Sequence, residues 1–156
     1  LRSDLLSHWH STREYALEML EAMPAEHFNF KPVKEQDTFA EQFEHFASSN
    51  VGYFSHFQNE VGEPRPTRPE LLTKDTLRQF VGAMFDYVEA VLSNLTEEEF
   101  LRRDVRMSPR SKSHTAQDVF LRAYMHTAHH RGQIVTYLRL KGVTPPGWRF
   151  PPNGVA

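Results

Sequence analysis

The chain has 156 residues and a formal net charge of -2 at pH 7. This length fits one domain, residues 1–156, and the balanced charge excludes the general attraction to nucleic acid or an anionic membrane that clustered Lys and Arg provide. Cysteine is absent, which excludes disulfides, thiolate nucleophiles and zinc-cysteine sites, so any metal must be held by His, Asp or Glu. With no basic start before an apolar run and no apolar segment of about 20 residues, we expect a soluble, cytoplasmic protein.

The first two predicted helices are separated by a loop over residues 24–37. Apolar residues recur at three-or-four spacing over residues 3–23, and Pro24 helps to end that helix. Thr38-x-x-Glu41 is a capping box that opens the second helix. An aromatic stripe follows one side of this helix and predicts core packing; it comprises Phe39, Phe43, Phe46, Phe54 and Phe57.

Two histidines of the second helix fall on a different side from the aromatic stripe. His45 and His56 lie there beside Ser48, Ser49 and Gly52, which are small enough to leave room for an imidazole. Periodicity leaves two interpretations open, because the same side is equally compatible with a cavity wall and with a solvent-exposed face.

The middle of the chain contains a long proline-rich connection and a third helix. Residues 62–69 hold three prolines, which predicts a connection that crosses the bundle or closes one end of it. The third helix starts near Thr73 and has the clearest amphipathic pattern in the chain, from Leu77 to Leu95. Thr96-x-x-Glu99 is another capping box, and it opens a short turn.

A basic run follows that turn, and its members are Arg102, Arg103, Arg106, Arg110 and Lys112. Such a loop can hold a phosphate or an anionic cofactor, but no glycine-rich cradle accompanies it. A solvated loop is therefore the favoured interpretation.

The last predicted helix begins near Thr115 and ends at Gly142, which stands in the usual position beyond a final helical turn. Pro145 and Pro146 prevent continuation, and the aromatic tail at residues 148–152 is expected to lie extended against the bundle. No alternating strand pattern or repeat is present. The sequence therefore predicts an all-α, up-down four-helix bundle with a long crossover connection between its second and third helices.

His126 and His130 in the last helix are four residues apart, so their imidazoles can reach one point. By itself the pair is equally compatible with metal binding and with one core and one surface histidine that bind no metal. Thr127 stands where a His-Glu-x-x-His protease has its glutamate, and no histidine has the Glu-x-x-His spacing of a di-iron bundle. These absences leave a mononuclear site of three imidazoles with open coordination positions, a pattern typical of reactive metals.

Two segments resemble the DinB-like superfamily of metal-binding four-helix bundles. Residues 126–138, HTAHHRGQIVTYL, with the exit Gly-Val-Thr-Pro-Pro at 142–146, are similar to the last helix of that family. Residues 38–47, TFAEQFEHFA, look like its second-helix signature. The resemblance implies that His45, His126 and His130 bind one divalent metal ion, either Zn, Ni or Fe, while His129 points to another side of the helix.

The resemblance also implies a function. Characterised members of the superfamily include thiol S-transferases and a thiol-dependent maleylpyruvate isomerase, so we expect a metal-dependent S-transferase or hydrolase that activates a bound thiol or water. Its partners would be a low-molecular-weight thiol, a small electrophile and a second copy of the chain. Tyr124, Gln133 and Tyr137 are polar neighbours on the last helix, although packing is their expected role. The alternative is a non-catalytic metal-binding or stress-associated dimeric bundle.

Overall fold

A computed structural model of the chain describes residues 2–57, 64–107, 110 and 112–147. Four long helices and one short helix occupy most of this part of the chain. Their bounds are α1, Arg2–Ala22; α2, Phe39–Tyr53; α3, Lys74–Asn94; α4, Glu97–Leu101; and α5, Ala116–Leu140. Short 3-10 turns lie at Ala25–His27 and Ser55–Phe57, and Val105 pairs with His114 in an isolated bridge.

The helix ends are set by the residues that the sequence predicted. The Thr38 side chain accepts a hydrogen bond from the Glu41 N–H, and the Glu41 carboxylate accepts one from the Thr38 N–H at 2.7 Å. This reciprocal pair satisfies two N–H groups that have no partner inside the helix. At the other end of α5, Gly142 has a φ of 73°, and the Val143 N–H reaches the Leu138 carbonyl at 2.9 Å. This closure is a Schellman motif, which favours glycine because it needs a left-handed residue.

The helices run up, down, down and up. Trp9 donates to the Phe85 carbonyl while Lys74 reaches Glu21, so α1 and α3 are antiparallel. Tyr87 of α3 donates to the Phe54 carbonyl just beyond the end of α2, and Asn50 lies earlier on α2, near Met84. Because these two helices run in the same direction, the chain between them must return along the bundle. The predicted all-α bundle with a long crossover is confirmed.

The core lies where the four long helices meet. Helix α3 packs against α1 and α2, and α5 packs against α2 and α1. The predicted aromatic stripe of α2 is buried, as is the apolar face of α3, and Trp9 from α1 fills the space between Phe85 and Phe120. Among the helices described, none combines the length and the apolar character that a membrane-spanning segment needs.

Surface exposure bears on two interpretations that the sequence left open. The side of α2 that carries His45 was compatible with a cavity wall and with a solvent-exposed face, and His45 is exposed at the edge of a groove that α2 shares with α5. The basic residues of the α4–α5 connection are also exposed, which agrees with the solvated loop that the sequence favoured, and Arg103 donates to the Ser113 carbonyl. The aromatic tail at 148–152 lies outside the described residues.

Candidate metal centre

Three histidines from two antiparallel helices converge in the groove between α2 and α5. One ring nitrogen from each of His45, His126 and His130 lies within 4.8 Å of the other two. The ring centroids are 4.6 Å apart for His126 and His130, and 4.8 Å apart for His45 and His130. His130 is buried, His126 is half-buried and His45 is exposed, so the cluster opens to solvent on the α2 side.

A second contact between the two helices fixes their register below the cluster. Asn50 of α2 donates to the Thr127 hydroxyl at 2.8 Å, and Thr127 in turn donates to the Ala123 carbonyl. Both side chains are fully buried. Thr127 directly follows His126, and Asn50 lies between His45 and the end of α2. This polar contact therefore holds the two histidine-bearing helices in one relative position.

A hydrogen-bond chain behind the cluster orients His130. The Tyr137 hydroxyl donates to the Asp37 carbonyl at 2.6 Å, because a backbone carbonyl can only accept. The Tyr137 oxygen then accepts from the Gln42 amide at 3.4 Å, and this leaves Gln42 Oε1 to accept from His130 Nδ1 at 2.7 Å. Burial raises the pKa of Tyr137, so its hydroxyl keeps the proton it donates. These hydrogen bonds fix the proton of His130 on Nδ1, so the lone pair of its Nε2 points into the cluster.

His126 is held differently from His130. Its Nε2 lies 3.1 Å from His130 Nε2, whereas its Nδ1 is buried and has no hydrogen-bond partner among the described residues. Because His130 Nε2 carries a lone pair, His126 Nε2 donates to it in this arrangement. To offer a lone pair of its own, His126 must move its proton to Nδ1. His130 therefore has the better organised ligand nitrogen of the two.

The two cluster histidines on α5, His126 and His130, are neutral near pH 7. Burial, with smaller contributions from the neighbouring His126 and His45, lowers the pKa of His130 to about 4. Burial also lowers the pKa of His126, with a smaller contribution from His45. Neutral imidazole is the form that binds a metal. These two side chains therefore need not release a proton to solvent before they can bind a metal ion.

The residues present fit a divalent metal ion. Two nitrogens bound to one tetrahedral zinc ion at about 2.1 Å lie roughly 3.4 Å apart. The 3.1 Å between His126 and His130 is close to that value, and the 4.8 Å limit for the whole cluster leaves only a small adjustment for His45. Three imidazoles without a carboxylate or thiolate suit Zn, Ni or Fe better than Mg or Ca.

The other sequence candidates lie outside the cluster. His129 Nε2 accepts a hydrogen bond from the Gln133 amide at 2.8 Å on an exposed side of α5. His56 is exposed and packs against Phe57, and Tyr124 stacks on Phe120. Among the three polar neighbours proposed on α5, Tyr137 alone belongs to the hydrogen-bond chain of His130.

A comparison with protein families identifies the family of this chain. The model of the DinB family matches residues 2–153. The chain belongs to the DinB family. It is also 27% identical over 150 residues to the uncharacterized protein YjoA of Bacillus subtilis (strain 168), and this match covers 91% of the chain and 92% of YjoA.

Two crystal structures of DinB-like proteins share the fold. The structure of YjoA from Bacillus subtilis superposes with a TM-score of 0.72 at 23% identity, covering 92% of this chain and 96% of YjoA. A DinB-like protein from Bacillus cereus ATCC 10987 superposes with a TM-score of 0.74 at 18% identity, covering 93% of this chain and 95% of the other. At these identities the similarity supports the bundle and carries no information about activity.

Sequence reasoning missed Gln42 and Tyr53. Gln42 stands three residues before His45 but contacts His130, which is 88 positions away, so no local pattern connects them. Tyr53 continues the row of His45 by eight residues, and its ring centroid lies 5.9 Å from that of His126. That spacing was the only available signal for Tyr53, and it is shared by most residues of an ordinary helix face.

Proposed function

We propose that this DinB-family protein is a divalent-metal-dependent enzyme that transfers a thiol to a small electrophile, or uses water in its place. The observation that carries the proposal is the exposed third member of a three-imidazole cluster. His45 leaves one side of the cluster open to solvent, and an open coordination position separates catalytic metal sites from closed structural ones.

The chemistry follows from the donor set. A divalent ion held by three neutral imidazoles keeps its full positive charge and stabilises the deprotonated form of a thiol or water that binds it. The chain's own contribution is to keep His130 Nε2 unprotonated through Gln42 and to hold His126 neutral by burial. The histidines act as ligands in this proposal, and none of them serves as the general base.

The transfer step balances without a further reactant. The thiol loses its S–H proton to solvent, and the sulfur forms a bond to the electrophilic carbon of the acceptor. The bond from that carbon to its leaving group breaks, and the leaving group departs with the electron pair. The leaving group then takes up a proton from solvent, so that thiol and acceptor become a thioether and the protonated leaving group. With water as the nucleophile, the same step is a hydrolysis.

The test compares two histidine variants of the metal-loaded protein. His130→Ala removes a cluster member, and His129→Ala is its matched control on the next residue of the same helix. Each protein is assayed with cysteine, glutathione, bacillithiol and mycothiol against monobromobimane and other electrophiles. We expect His130→Ala to lose metal and turnover together while its circular dichroism is unchanged, because the aromatic and aliphatic core supplies most of the packing energy.

His129→Ala should retain both metal and turnover, since its ring pairs with Gln133 outside the cluster. Two results together would refute the enzyme proposal: no turnover by the metal-loaded wild-type protein across the panel, and unfolding of that protein when the metal is removed. The site would then be structural, as in the non-catalytic alternative.

A further inference from the structure

A cleft of about 250 Å³ lies at one end of the histidine cluster, and it is lined by Tyr53, Met107, Arg122 and Met125. Its position follows from helix geometry. Arg122, His126 and His130 are spaced by four on α5, so they form one row on one face of that helix. Tyr53 continues the row of His45 on α2, and its ring lies 5.9 Å from that of His126. The cleft is therefore the continuation of the groove that holds the cluster.

The lining residues define what the cleft can bind. Two thioethers and one aromatic ring suit a small apolar body, because Met side chains are flexible and polarizable. The volume falls below the range of about 300–1,000 Å³ that is usual for drug-sized ligands, which favours a small molecule over a peptide. Arg122 is the one charged residue among those that line the cleft.

Within the described part of the chain, one hydrogen bond orients the Arg122 guanidinium and leaves its other donors available to a ligand. Its Nε donates to Asp118 at 2.9 Å, and Asp118 is also bonded by His114 at 2.6 Å. A guanidinium has five N–H donors, and among the described residues Asp118 takes only the one on Nε. The two terminal amino groups form the fork that binds a carboxylate with two parallel hydrogen bonds. Asp118 thus orients the fork without occupying it.

We propose that this cleft binds the acceptor substrate, and that the acceptor is a small apolar electrophile carrying a carboxylate. This inference rests on the function proposed above. The carboxylate binds Arg122, the apolar body lies against Met107 and Met125, and the reactive carbon points along the groove to the histidines. Arg122 and His126 are one helical turn apart, about 6 Å. The reactive carbon should therefore stand at least that far from the carboxylate.

A binding experiment on the metal-free protein tests the cleft without relying on metal or turnover. The probes are 3-phenylpropionate and 3-phenylpropionamide, which have the same shape and differ in charge, titrated by ligand-observed NMR. We expect the wild-type protein to bind the acid about tenfold more tightly than the amide. This lies at the lower end of what a bond to a charged group contributes, because Arg122 is 49% exposed.

Two variants of the cleft and one control make the test specific. Arg122→Met should weaken the acid about tenfold and leave the amide within about twofold, while Arg139→Met, an exposed arginine on the same helix, should change neither. Met125→Glu places a like charge in the cleft at a side chain that is 68% exposed, so the fold tolerates it and the acid should again bind more weakly. Equal binding of acid and amide by the wild type would overturn the inference, as would wild-type binding of the acid by both variants.

The metal-loaded enzyme provides an independent readout. Arg122→Met should raise KM for 4-(bromomethyl)benzoate more than for 4-(bromomethyl)benzamide, with the same metal content as the wild type. A cleft that fails these tests in a protein that still binds metal and turns over neutral acceptors would refute the carboxylate inference alone. If the wild-type protein neither binds metal nor turns over any acceptor, the proposed function is refuted instead.

Discussion

The hydrogen bond from His130 to Gln42 offers a measurable test of how the chain organises its metal ligands. Gln42→Leu removes the acceptor of a 2.7 Å bond between two buried side chains and replaces it with an apolar group of similar size. The Nδ1–H of His130 then has no acceptor, which costs about 1–3 kcal/mol for a buried donor. Loss of such a supporting partner typically weakens metal affinity about 10- to 100-fold, or roughly 1.4–2.8 kcal/mol.

The assay is competition for Zn²⁺ with a chromophoric chelator at pH 7.5. Gln133→Leu is the matched control, because it makes the same substitution at a glutamine that bonds His129 outside the cluster. We expect the control to bind zinc within about twofold of the wild type. Circular dichroism should show both variants folded. A folded Gln42→Leu protein with wild-type zinc affinity would refute the argument that Gln42 sets the tautomer of His130.

Three further predictions concern stability and assembly. The folded pKa of His130 is about 4 against an ordinary value of about 6.5, so between these values the unfolded chain binds a proton that the folded chain does not. The free energy of unfolding of the metal-free protein should therefore fall as pH drops from about 6.5 to about 4, by about 3 kcal/mol in all, and urea titrations of His130→Ala should lack this component. Thr127→Val leaves the buried Asn50 amide without its 2.8 Å acceptor and should lower stability by about 1–3 kcal/mol, whereas an unchanged urea midpoint would contradict the role of this contact. The chain is predicted to be a homodimer, and light scattering that gives the single-chain mass of 18.2 kDa at micromolar concentration would exclude it.

The fold was predictable because its signals are local. The capping boxes at Thr38 and Thr96 begin α2 and α4. Gly142 ends α5 in a left-handed backbone conformation that few other residue types adopt. The apolar face of α3 has the helical period over its whole length, so its burial follows from spacing alone. Periodicity does not show in which direction one helix runs relative to another. The parallel arrangement of α2 and α3 became visible only through contacts such as that of Tyr87 with Phe54.

The candidate site was predictable only in part. The spacing of His126 and His130 placed them on one face of α5, but His45 entered through a family resemblance, because nothing near it in sequence says which helix it faces. The same side of α2 was compatible with a cavity wall and with solvent, and in the structure it borders an open groove. Gln42 contacts a residue 88 positions away, and Arg122 lines a cleft formed between distant segments; such contacts leave no mark in a single sequence.

Anomalous diffraction from crystals of protein purified without added metal tests whether the three histidines bind one ion. We predict one ion per chain, about 2.0–2.2 Å from a ring nitrogen of each of His45, His126 and His130 if the metal is zinc, with solvent or a buffer anion at the remaining position. An ion bound elsewhere, an ion that lacks His45 among its ligands, or a fourth protein ligand that closes the shell would contradict it.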